Sequence, residues 1–124
     1  MKLTQPLRLN YEFSRVYNKG RYLAARHVVI HYLRRPGRPN RLGVTASRKI
    51  KGSVRRNRMK RLLRESYRLI EDQLLDGYDL VLVARDGKDQ PDYHTVSREV
   101  SHLLQKAGLN RMNKQAEAKT GDPS

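Results

Sequence analysis

The chain has 124 residues, with 27 Lys or Arg against 12 Asp or Glu, a formal net charge of +15 and no cysteine. That length supports one domain with a modest core, and the lack of Cys excludes disulfides, thiolate metal sites and cysteine nucleophiles. No apolar run approaches the ~20 residues that span a bilayer and MKLTQPLRLNYEF lacks a signal-peptide apolar stretch, so a cytoplasmic protein with an anionic partner is expected.

The first seven or eight residues read as a loose arm. Asn10 is placed to cap a short helix in which Leu9, Phe13, Val16 and Tyr17 recur at helical spacing, with Gly20 as its stop. Phe13 and Tyr17, one turn apart, form a flat strip usable for core packing or for a ligand. Arg21 to Leu33, RYLAARHVVIHYL, is rich in β-branched and aromatic residues and reads as one strand. Its alternation puts Tyr22, Ala24, Arg26, Val28, Ile30 and Tyr32 on one face, and Leu23, Ala25, His27, Val29, His31 and Leu33 on the other. RRPGRPNR is a turn, and strand pattern resumes from Leu42 to Ser47, so the two runs are expected to pair antiparallel.

Ser53 opens a long helix that is expected to run to Leu75 and stop at Asp76-Gly77. Its core stripe is Met59, Leu62, Leu63, Ser66, Leu69, Ile70 and Leu74, with Asn57, Arg61, Arg64 and Arg68 opposite. Tyr78 to Arg85 is a buried strand. Asp92 caps a last helix whose apolar stripe is Val96, Val100, Leu103, Leu104 and Ala107, ending at Gly108. The fold class is therefore α+β, a mostly antiparallel sheet flanked by helices in the order α-β-β(-β)-α-β-α. Residues 1–109 are expected to form one domain, and the polar residues 110–124 a disordered tail.

Charge is concentrated in one place. The 21 residues from Arg48 to Arg68 carry ten Lys or Arg and one acid, Glu65, a net charge of +9 against +15 for the whole chain. Cations at a helix N-terminus oppose the helix dipole by ~0.3–1 kcal/mol each, and phosphates would relieve them. A membrane surface is disfavoured, because the chain has no Trp and only one Phe to set opposite a basic face. DNA would suit a helix-turn-helix, but a strand precedes this helix. A sheet carrying Tyr and His beside an aromatic helix suits the stacking of unpaired RNA bases.

Catalysis by the chain itself has no residue set. His27 and His31 would lie ~13 Å apart along a strand, too far to share a metal or a proton. His94 and His102 fall on a surface helix, and Asp86, Asp89 and Asp92 sit in a turn without a calcium-loop pattern.

The run Lys49-Ile50-Lys51-Gly52-Ser53-Val54-Arg55-Arg56-Asn57-Arg58-Met59-Lys60-Arg61-Leu62-Leu63-Arg64-Glu65 resembles the signature of the bacterial ribonuclease P protein subunit. Leu9 to Tyr17 resembles that family's first helix, Arg41 to Lys49 its strand before the basic helix, and Tyr78 to Arg85 its late strand. The resemblance implies a ribosomal protein S5 domain 2-like fold with a left-handed crossover through the basic helix, against the usual preference. It implies a protein subunit of an endoribonuclease that removes the 5′ leader from precursor tRNA. The catalytic groups lie in the RNA subunit, which uses Mg2+, and the chain supplies no catalytic or metal-ligating residue. The expected partners are that catalytic RNA and precursor tRNA, with no protein partner required. Arg55, Arg56, Asn57, Arg58, Lys60, Arg61, Arg64 and Arg68 are implied to bind the RNA subunit. Phe13, Tyr17, His31, Ser47, Arg48 and Lys49 are implied to face the leader; many family members carry a phenol where this chain has His31. The alternative from the residues alone is a ribosomal-type small basic RNA-binding or assembly protein.

Overall fold

The computed structural model describes residues 3–85 and 90–111. In chain order it contains β1 (Gln5–Pro6), α1 (Asn10–Lys19), β2 (Arg21–Ala24), β3 (Val28–Arg34), β4 (Arg41–Ala46), α2 (Ser53–Arg68), β5 (Tyr78–Ala84) and α3 (Tyr93–Lys106), with a 3-10 turn at Glu71–Gln73 after α2.

The strands form one five-stranded sheet in the order β1-β4-β5-β3-β2. The expected antiparallel pairing of the two early strand regions is not found. β5 lies between β3 and β4, antiparallel to the first and parallel to the second. The reason is the crossover: α2 carries the chain back along the sheet, so β5 must run in the same direction as β4. β1 also joins β4 in parallel. The sheet is thus mixed rather than mostly antiparallel.

The expected single strand from Arg21 to Leu33 is a hairpin, β2 against β3. Ala25 N–H donates to the Val28 carbonyl across its turn (2.8 Å). That turn contains no Gly, Pro or Asn; it is held from outside. His27 N–H donates to Glu99 of α3 (2.8 Å), the His27 ring meets the same carboxylate at 2.6 Å, and Arg85 N–H donates to the His27 carbonyl (2.9 Å). His27 and His31 therefore do not share a strand face.

Alternation along the strands separates two apolar layers. Val28, Ile30, Leu42, Leu80, Leu82 and Ala84 face the main core under α2 and α3, where Met59, Leu63, Val96, Val100 and Leu103 are buried. Val81 of the other face meets Leu7 and Val16, with Phe13, Leu33 and Val83 at the margin, so α1 covers that side.

α2 ends at Arg68, earlier than expected. Leu69 N–H still reaches the Glu65 carbonyl, but Ile70 N–H turns to Tyr67, tightening the chain into the short turn. Leu69 is consequently 53% exposed, whereas Tyr67, absent from the expected stripe, is fully buried. The Tyr67 and Thr4 hydroxyls are hydrogen bonded (2.9 Å), and burial pushes the Tyr67 phenol up to about 12. This bond and the β1–β4 pairing order residues expected to be a loose arm. Asn10 is the first residue of α1 rather than its cap. Glu12 reaches back instead, accepting from Arg8 and Leu9 N–H at 3.1 and 3.0 Å. Asp92 caps α3 as expected, accepting from Thr95 N–H (2.8 Å). Asn110 bridges Leu74, and Arg111 donates to the Leu74 carbonyl (2.9 Å). The remaining positions of the expected tail, 112–124, and the turn residues Asp86 and Asp89 lie outside the described residues.

Asp79 of β5 is completely buried. It accepts from Arg35 Nε (2.9 Å) and from Arg41 Nε and Nη2 (2.9 and 2.7 Å), while Arg41 Nη1 pairs with Glu12 of α1. Burial alone would raise the Asp79 carboxyl; the hydrogen bonds and charges of Arg41 and Arg35 outweigh it, leaving the group below the usual 3.8. Asp79→Asn should destabilise the protein by ~3–5 kcal/mol, because two guanidinium groups lose a buried partner. Since the folded-state value lies below the unfolded one, wild-type stability from this group is present above pH 3.8 and is lost as pH falls through the folded value. Urea midpoints measured across that range should show the loss in wild type and a flatter profile in Asp79→Asn.

Candidate nucleic-acid interface

α1 lies against the sheet because two glycines admit it. A Cβ on Gly43 would stand 2.4 Å from the Phe13 ring, and one on Gly20 would stand 2.5 Å from the Tyr32 carbonyl oxygen. Gly20 stops the helix with extended backbone (φ −87, ψ −177), so close approach rather than a left-handed conformation requires it. Phe13 rests on the β4 backbone, and Val16 is buried against the sheet.

Register then builds a row across the sheet: Gly43 opposite Val81, Val81 opposite His31, His31 opposite Tyr22. α1 adds its own rings above that row. Phe13 and Tyr17 centroids are 6.5 Å apart, Tyr17 meets His31 edge-on at 4.7 Å, and Tyr22 lies 5.7 Å from His31. Tyr17 and Tyr22 are 41% and 66% exposed. The next row, Thr45, Val83, Val29 and Ala24, is only partly covered or exposed. The result is an open aromatic cleft with an apolar floor, the form that stacks unpaired bases. Burial raises the Tyr17 phenol and lowers the His31 imidazole, favouring its neutral form.

Of the residues expected here, the structure brings together Phe13, Tyr17 and His31. Ser47 continues the Gly43–Thr45 alternation; its N–H donates to the Ala84 carbonyl (2.8 Å) and its hydroxyl accepts from Lys49 N–H (3.2 Å). Arg48 and Lys49 follow as exposed cations. Tyr22 was missed, because a single strand puts it on the opposite face from His31. The hairpin changes that parity and sets a phenol beside the histidine.

The second surface is α2. Gly52, at φ 89, turns the chain into the helix, whose N-terminus has no side-chain cap and no acid in its first turn. Arg56 donates to the Ile50 carbonyl (2.8 Å) and Arg58 to the Pro91 carbonyl (3.2 Å), so both brace neighbouring loops. Arg68 pairs with Glu65, the helix's one acid. Lys60 is half-buried, whereas Arg55, Asn57, Arg61 and Arg64 are exposed. Asn57, Arg61, Arg64 and Arg68 project as one stripe opposite the buried Met59, Leu63 and Ser66. Arg64 also lines a recess of about 370 Å³ with Pro6, Phe13 and Gly43, so the stripe and the aromatic side of α1 meet there.

Among the described residues, no group of three or more His, Cys, Asp or Glu converges into a metal site. No helix of the described residues is long and apolar enough to cross a membrane.

A small α+β domain with an open aromatic cleft and a cationic helix is the build of an RNA-binding protein. Residues 1–108 match the Ribonuclease P family model. The "Ribonuclease P protein component" of Caldanaerobacter subterraneus is 44% identical over 108 residues, covering 87% of this chain and 92% of that protein. The protein of the same name from Natranaerobius thermophilus is 42% identical over 107 residues, 86% of this chain and 93% of that one. The solved ribonuclease P protein of Thermotoga maritima is 27% identical and superposes with a TM-score of 0.73, covering 82% of this chain and 96% of that one. The chain belongs to the ribonuclease P protein family, as the protein subunit of the endoribonuclease that matures the 5′ end of tRNA.

Two measurements check the cleft itself. The His31 ring should titrate by NMR below the ordinary value of 6.5, and Tyr22→Ala should bring it closer to that value by uncovering the ring. Gly43→Ala should displace the Phe13 ring and destabilise the protein by ~1–3 kcal/mol, seen as a lowered urea midpoint and shifted Phe13 resonances.

Proposed function

We propose that the two surfaces divide the work of this subunit: the α2 stripe binds the folded catalytic RNA, and the cleft holds the single-stranded 5′ leader of precursor tRNA. The observation that supports this division is the contrast between them. One is a convex row of exposed Asn57, Arg61 and Arg64; the other is a concave set of rings, Phe13, Tyr17, His31 and Tyr22. Guanidinium groups on a helix suit the phosphates of a structured RNA. Aromatic faces on a sheet suit splayed bases. Arg55, Arg61, Arg64 and Asn57 are assigned to direct RNA contact. Arg56 and Arg58 act from braced positions, and Lys60 and Arg68 add charge at the margins. Ser47, Arg48 and Lys49 extend the cleft at its open end, where Arg48 and Lys49 meet leader phosphates.

Magnesium belongs to the RNA in this reading, since clustered phosphates supply the oxygen ligands it prefers. The protein lowers the metal requirement by supplying cations that offset phosphate repulsion as RNA and substrate come together. Precursor tRNA processing implies a cytoplasmic subunit. The ribosomal-assembly alternative has no observation in its favour.

Adding the protein to its RNA subunit should permit precursor cleavage at magnesium concentrations where the RNA alone is inactive; unchanged cleavage at limiting magnesium would refute the assignment. Arg61→Gln with Arg64→Gln should weaken RNA-subunit binding and lower the slope of log K against log salt by about 1 for each phosphate no longer neutralised. Tyr17→Ala and Tyr22→Ala should each weaken capture of leader-bearing precursor by ~1–3 kcal/mol, leaving leaderless tRNA unaffected.

A further inference from the structure

On the other flank of α1 from Phe13 and Tyr17 is a second recess, of about 300 Å³, lined by Tyr11, Glu12, Arg15, Arg35, Arg38 and Arg41. The buried Val16 line divides the two flanks of the helix. The sheet row beneath is Arg41, Asp79 and Leu33, one step beyond the cleft row of Gly43, Val81 and His31.

Four guanidinium groups here face two acids, and both acids are already engaged. Asp79 spends its oxygens on Arg35 and Arg41. Glu12 accepts from the Arg8 and Leu9 N–H groups and pairs with Arg41. Arg35 Nη2 also donates to the Pro39 carbonyl (3.1 Å), fastening the loop that carries Arg38. Arg15 and Arg38 are exposed on the rim, and neither has a carboxylate partner among the described residues. A floor of arginines already engaged with carboxylates, with two uncompensated ones on its rim, suits an anion. The exposed Tyr11 ring lines one side of the recess. Guanidinium forks lining a recess match the oxygens of a tetrahedral oxyanion, and RNA supplies phosphates along its whole backbone.

We infer that this recess is a phosphate-binding site for an RNA phosphodiester, held by Arg15 and Arg38 and distinct from both the cleft and the α2 stripe. The identity of the RNA rests on the ribonuclease P reading. One strand source is the catalytic RNA and the other is the precursor.

The test uses the full chain carrying Arg15→Gln and Arg38→Gln together, its fold verified by thermal melting. Binding is measured across salt concentrations in three arms: the RNA subunit alone, leader-bearing precursor in the holoenzyme, and leaderless tRNA in the holoenzyme. The expected result is a slope of log K against log salt lowered by about 1 in at least one arm, and the arm affected names the strand. A wild-type slope in all three arms overturns the site, even where inorganic phosphate at high concentration shifts the Arg15 and Arg38 side-chain NMR signals. Arg61→Gln, run in parallel, separates the two failures. A lowered slope for Arg61→Gln alone refutes the recess and leaves the division of surfaces standing; no change for either variant sinks both.

Discussion

A buried carboxylate in the middle of the sheet holds the functional surfaces in register. Asp79 sits on β5, the strand flanked by β3 and β4, and its two arginines come from the ends of those neighbours. Arg41 then extends the linkage to Glu12, which also closes the N-terminal turn of α1. One charge thus ties two strand ends and a helix together. Such a network adds little net stability over an apolar core of the same shape, because desolvation offsets most of the Coulombic attraction. What it adds is position: α1 cannot slide across the sheet without leaving a charge unpaired in the interior. The spacing of Phe13 over Gly43 and of Tyr17 over His31 depends on that constraint.

Charge on this protein sorts by burial. Arginines that serve the fold are half-covered and bonded to carboxylates or carbonyls, as Arg35, Arg41, Arg56 and Arg58 are. Arg55, Arg61 and Arg64, proposed to meet RNA, stand exposed along α2. The free protein consequently carries repulsion that a polyanion removes. The uncapped start of α2 adds to it, since its unpaired N–H groups and its cations have the same sign. An RNA-binding role explains why a helix would begin so unfavourably.

The cleft works through a different force. Its rings meet through packing and glycine-sized gaps once the charge network has set the place of α1, and burial lowers the His31 imidazole. Neutral stacking is insensitive to salt, whereas guanidinium–phosphate contact weakens with it. On the proposed division of surfaces, ring stacking and phosphate contact therefore respond differently to ionic conditions.

Local pattern was enough to find the basic stripe of α2, the caps at Asp92 and Gly108, the strand at β5 and the family signature, because each depends on residues within a few turns of one another. It also placed Phe13, Tyr17 and His31 as ring-bearing candidates. The strand order was not legible: β5 inserts between β3 and β4 because α2 must cover the main core, and no period within a strand records which neighbour it will have. The face of Tyr22 was lost for a related reason. The β2–β3 turn has no turn-forming residue and exists because Glu99 and Arg85 hold it. Buried Asp79 and the arginine recess above it were equally hidden, since their members are scattered from Tyr11 to Asp79. Local pattern located the concentration of cations along α2, because charge and helical period are both read within a few turns. Only the tertiary structure decided which rings share a face and which arginines remain unpaired, because both follow from long-range pairing.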